Sequence, residues 1–392
     1  MLSWLSLLVS IVFFTLSNLY FSKRVVHIFL IYLYHYMFVF SSFMKPEYLF
    51  RNTISYDYLP YILLPIFCYF LILPSIFIRR INLDFLFQNE KINYLILILF
   101  PFIIFSLFYL TPYTFNTFIY GAESMRAGGG SGSEYFMLPP TKLTTFAVGI
   151  AMFYPLYLFF LFQQIVTKGS KLLIIIMITG VISGIIGGLV FATRDRFIYI
   201  IFYLLLFYWL WLPYFDNHVK LIVNRTIKFS IYICFGFFSW ITFDRFGDGF
   251  SEFFKSTLFY YGAQPYIFAE IYSKSQVHGL NYIFPLFFDG KGLIDKSSPE
   301  YWMWGTLFQN LFFSGGILFC IIFVLFHSIF SSTFFNYFHR LNFIYLIYLI
   351  LYFQIVSHGV FYYNLGFPGG NNYLIGMIFF GIVMFFFNKA KV

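Results

Sequence analysis

The chain has 392 residues, of which 61% are hydrophobic, 26% aromatic and only 10% charged, with a formal net charge of +9. A soluble domain averages about 25% charged residues, so this composition excludes a soluble globular protein. The 24 Lys and Arg residues are not massed in one domain or on one face, which argues against nucleic acid as a partner. Apolar runs of roughly 20 residues, long enough to cross ~30 Å of hydrocarbon as helices, recur over the whole length. They predict eleven spans, at 2–21, 25–43, 59–78, 92–112, 143–165, 172–192, 197–215, 229–243, 306–327, 342–358 and 372–388. The first carries no basic leader and no small-residue cleavage site, and reads as a retained span. The alternating ~10-residue strands of a membrane β-barrel are absent. The expected fold is an all-α, polytopic integral membrane protein.

The spans divide the chain into an N-terminal bundle over 1–243, a large loop over 244–305 and a C-terminal bundle over 306–392. Between spans four and five, Gly128-Gly129-Gly130-Ser131-Gly132-Ser133 reads as a flexible linker or as a mobile lid. One set of connections holds Lys23, Arg24, Arg79, Arg80, Lys91, Lys168, Lys171, Lys220, Arg225, Lys228, Arg340, Lys389 and Lys391. The opposite short loops hold only Lys45, Arg51, Arg126, Lys142, Arg194 and Arg196. The positive-inside rule makes the first side cytoplasmic, so the large loop faces outward. Within that loop, Phe250, Phe253, Phe254, Leu258 and Tyr261 fall at helical spacing and predict an amphipathic interfacial helix, ended by Gly262 and Pro265. The run Leu280 to Phe288 is too short to span and contains Pro285, so it reads as re-entrant or interfacial.

Candidate chemistry gathers on the outer side. Arg194 and Arg196, separated only by Asp195, place a dense positive charge at a membrane boundary. Arginine holds phosphate through paired hydrogen bonds and stays ionised, whereas the plain alternative is snorkelling beside a local counter-ion. Arg245, between Asp244 and Asp248, is a second candidate anion clamp, and Arg126 flanks the Gly/Ser segment. Asp248, Glu252 and His278 are the candidate general bases, as each is a titratable group in the large loop. His358 is a weaker one. Cys68, Cys234 and Cys320 fall inside spans and read as small hydrophobes. No HExxH, CxxC, DxD, P-loop or GxSxG pattern occurs, so no metal site or cofactor is expected.

In this order the pieces resemble the O-antigen polymerase family, within the GT-C-like architecture of membrane polymerases and ligases. Four features carry the likeness: about eleven spans with one large outer loop; Ala192-Thr193-Arg194-Asp195-Arg196 leading into an aromatic span; Arg245-Phe246-Gly247 followed by a Tyr-rich stretch to Tyr272; and Gly305 to Gly316, where span nine re-enters through Gly315-Gly316. One departure stands beside them. Some members carry Arg and Gly eleven residues apart in two outer loops, whereas here Arg194 is followed by Leu205 and Arg245 by Ser256.

The resemblance implies a glycosyltransferase of the bacterial inner membrane that needs neither metal nor nucleotide sugar. Such an enzyme transfers a growing glycan from undecaprenyl diphosphate to the non-reducing end of a lipid-linked repeat unit, at the outer face. Its implied partners are the lipid-linked oligosaccharide as donor and acceptor, the bilayer, and chain-length regulator and flippase proteins. A ligase to the lipid A core, or a transporter of the same lipid-linked sugar, are the alternatives.

Overall fold

The computed structural model of the chain describes all residues except 1, 45–56, 82, 88–90, 121–137, 140, 192, 194, 247–254, 256–257, 260, 275–276, 288–305, 339–341, 364 and 390–392. Among the described residues all regular structure is helical. The main elements open with α1 (Ser3–Phe21), α2 (Val25–Phe43), α3 (Leu59–Ile72) and α4 (Lys91–Tyr120). There follow α5 (Lys142–Ala151), α6 (Tyr154–Val166), α7 (Lys171–Leu189), α8 (Asp195–Trp211) and α9 (Asn217–Phe246). The last are α10 (Gln264–Lys274), α11 (Leu307–Tyr337), α12 (Asn342–His358) and α13 (Pro368–Lys389). Among the described residues nine helical segments are long and apolar enough to cross a membrane, so the protein is a multi-pass membrane protein. Leu, Ile and Phe side chains are exposed along α1, α4, α9 and α11, the surface that lipid would cover.

Two compact units form. The first contains Met1–Arg79, Phe250–Leu341 and Tyr345–Asn371. Its α3 contains Pro65, which cannot donate to the Tyr61 carbonyl one turn earlier. The Ser6 hydroxyl of α1 donates to that carbonyl instead, so the proline is tolerated in an apolar setting. His27 is fully buried between the hydroxyls of Ser17 and Ser75, at 3.0 and 2.8 Å, which makes it a satisfied core histidine. The helical residues before Pro265 stop at Gly262, as expected, and Pro265 itself lies in the first turn of the next helix, α10, where a missing N–H costs nothing. That helix docks through Tyr266, which donates to Ser3 at 2.8 Å and packs with Met44, Tyr61 and Ala269.

The second unit contains Arg80–Gly249, Asn342–Ile344 and Asn372–Val392. The predicted span over 143–165 is broken here at Met152 and Phe153, because Pro155 cannot hydrogen-bond back into α5 and α6 restarts around it. α7 presents Gly180, Gly184 and Gly188, one per turn. Cβ atoms built there would lie 2.6 Å from the Tyr157 ring, 2.5 Å from Tyr154 Cβ and 2.7 Å from Arg196 Cβ. The stripe therefore lets α6 and the start of α8 approach the α7 backbone closely. α9 has 30 residues, about 45 Å at 1.5 Å each, against ~30 Å of hydrocarbon. It begins twelve residues ahead of the predicted span at 229, and those first turns carry Lys220, Arg225 and Lys228.

The predicted ninth span divides most sharply. α11 breaks at Gly315 and Gly316, and Gly316 has φ +69°, a left-handed conformation open chiefly to glycine. Cys320 Sγ then lies 3.6 Å from the Phe308 carbonyl, although twelve residues of continuous helix would separate them by about 18 Å. The chain has turned back on itself. Residues 307–314 form a short half-helix, buried along most of its length, while 317–337 continue as a helix with Leu318, Ile322, Phe326 and Ile329 exposed on one side.

Candidate functional site

Arg196 lies in the first turn of α8, where a snorkelling side chain would extend outward. Instead its guanidinium sits 4.9 Å from the centroid of the Tyr154 ring and the residue is half-buried. A cation over an aromatic face gains about 0.5–2 kcal/mol, more as water is excluded. Tyr154 is positioned by two local features already visible in the chain: the restart of α6 ahead of Pro155, and the Gly184 gap against its Cβ. Tyr154 and Tyr203 meet edge to face at 5.7 Å, and Tyr373 of α13 packs against Phe153 at 4.9 Å. The Arg196 charge acts on the phenols of Tyr154, Tyr203 and Tyr373, and at Tyr154 the neighbouring Asp195 carboxylate opposes it. All three tyrosines are fully buried, and the hydroxyls of Tyr154 and Tyr373 have no hydrogen-bond partner among the described residues. A cation beside buried phenol donors is an arrangement that receives an anion.

His278, in the first unit, sits against the break in α11. Its backbone N–H donates to the Phe313 carbonyl at 2.6 Å, an acceptor that the break removes from the helical ladder. Its ring lies 5.6 Å from Phe313 and 6.3 Å from Tyr282. Gly279, at φ +91°, makes the turn that follows. Asn310, in the half-helix, donates to Tyr282 Oη at 3.3 Å and accepts from the Tyr363 backbone at 3.0 Å. Burial alone pushes the Tyr363 phenol above its ordinary value, so it stays neutral. The half-helix starts with the Leu307 N–H donating to the Gly359 carbonyl at 2.8 Å. His358 precedes that glycine and is buried.

Of the residues singled out from sequence, Arg196 and His278 are placed as above, one in each unit. Arg245 lies on the last turn of α9, with only its backbone described. Arg126, Arg194, Asp248 and Glu252 lie outside the described residues, as does the Gly/Ser segment. Sequence reasoning missed Tyr154 and Tyr373. The signals were present as Pro155 inside an apparent span and as three glycines at four-residue spacing, yet nothing in sequence links residues 154 and 373. Among the described residues no group of three His, Cys, Asp or Glu could hold a metal ion. The chain matches no protein-family model, no curated protein and no solved structure with which it was compared.

Proposed function

We propose that the protein is a membrane glycosyltransferase of the O-antigen polymerase type, joining oligosaccharide units carried on a polyprenyl diphosphate at the outer face of the bacterial cytoplasmic membrane. The observation that carries this reading is Arg196, turned inward over Tyr154 at the end of an apolar helix instead of outward to solvent. In the reaction, an acceptor hydroxyl attacks the anomeric carbon of the donor glycan. The bond from that carbon to the diphosphate oxygen breaks, and the hydroxyl proton passes to a base. Negative charge grows on the departing diphosphate, and a fixed guanidinium in a water-poor site stabilises it. Arg196, with Arg194, Arg245 and Arg126, is assigned to that charge; His278, Asp248 and Glu252 are assigned to the proton.

Chemically defined lipid-linked repeat units, incubated with the purified protein, test the reading. Unsubstituted protein should lengthen them, and Arg196→Ala should lower the rate about 100-fold or more while inserting normally. Full-length polymer from Arg196→Ala would sink the arginine assignment; no lengthening by the unsubstituted protein would sink the polymerase. A second reading, a transporter of the same lipid-linked sugar, draws on the break at Gly315 and Gly316, since transporters build sites at discontinuous helices. It would move intact substrate across vesicle membranes and leave chain length unchanged.

A further inference from the structure

Two buried hydroxyls in the second unit lie within electrostatic range of Arg196. Tyr154 and Tyr373 are both at 0% exposure with no hydrogen-bond partner among the described residues, while Tyr157, one turn along α6 from Tyr154, donates to the Ile150 carbonyl at 3.2 Å. Buried polar groups are overwhelmingly paired, and leaving one unpaired costs about 1–3 kcal/mol. Two such donors, one with its ring under the Arg196 guanidinium and both within range of its charge, have a common explanation in an anion that accepts from all three. We infer that Tyr154 and Tyr373 are ligand-binding residues, donating their hydroxyls to a phosphate-class anion whose charge Arg196 balances.

This assignment rests on the Arg196 reading above and adds to it the groups that select the ligand. Arginine supplies charge and a planar pair of donors. The phenols supply fixed neutral donors, which favour an oxyanion with acceptors in several directions over a carboxylate or a halide. Both tyrosines are rigid by packing: Tyr154 against the Gly184 gap, and Tyr373 against Phe153. The donors are therefore held in place before the ligand arrives.

The test is binding to the purified full chain, measured by calorimetry in two arms. One uses inorganic pyrophosphate, and the other uses nanodiscs containing a polyprenyl diphosphate, with polyprenol nanodiscs as the neutral control. Tyr154→Phe and Tyr373→Phe keep the rings and remove only the hydroxyls, so the fold is spared. Each should weaken diphosphate binding about 10-fold, and the double variant more, as expected for hydrogen bonds to a charged group. Tyr157→Phe, whose hydroxyl is already paired, should change nothing. Binding in the lipid arm alone assigns the site to a headgroup; binding in both arms assigns it to the anion itself. Undiminished binding by the double variant, or no diphosphate binding by the unsubstituted protein, would overturn the inference. Binding lost in the double variant, with no chain growth by the unsubstituted protein, would sink the polymerase and leave the anion site standing.

Discussion

Asn371 carries more of the first unit than its place in a Gly-Gly-Asn-Asn stretch suggests. It is fully buried, donates to the carbonyls of Leu365 and Ile283 at 2.6 and 3.2 Å, and accepts from the Leu286 N–H at 3.4 Å. Asn371→Ala should lower stability by roughly 2–4 kcal/mol, because backbone groups of Ile283, Leu286 and Leu365 lose their partner. Thermal unfolding in detergent would show it, and an unchanged Tm would remove Asn371 from the framework. At this scale the sequence was legible only where chemistry is rare. Seven histidines and a few arginines could be weighed one by one, and Arg196 and His278 were singled out in that way. The 34 tyrosines could not, since a phenol that packs and one that binds are the same letter. Only the fold brings residue 373 beside residue 153, as the proposed anion site requires.

Single helices were legible from hydrophobicity, and their interruptions much less so. Each of the eleven apolar segments falls on helix, because ~20 apolar residues in lipid have no other way to pair their backbone. The break ahead of Pro155 and the length of α9 depend on local backbone chemistry and on where charges end, which a run of apolar letters does not show. The glycine stripe of α7 gives a prediction at the same scale. Gly184→Ala would press a Cβ to 2.5 Å from Tyr154 Cβ, which no rotamer change relieves. A loss of about 1–3 kcal/mol is expected, together with weaker anion binding as Tyr154 shifts. Gly236→Ala is the counterpart: a Cβ there meets nothing within 4 Å, and alanine should stabilise α9 by about 0.5–1 kcal/mol. Equal Tm values for the two variants would contradict the close packing assigned to α7.

For the whole molecule, the proposed orientation can be read with single cysteines, because Cys68, Cys234 and Cys320 are all buried and give little background. A membrane-impermeant thiol reagent should label Ser273→Cys in intact cells and Lys171→Cys only after permeabilisation; both residues are exposed. The reverse pattern would invert every assignment of an outer face. The break in α11 also constrains how the chain is assembled. Eight residues are too few for a translocon to release into lipid as a span, and the half-helix has its first N–H bonded to Gly359, more than forty residues downstream. That bond can form only once synthesis has run past α12. Truncation before residue 359 should leave the half-helix open to protease, while truncation after Asn371 should protect it.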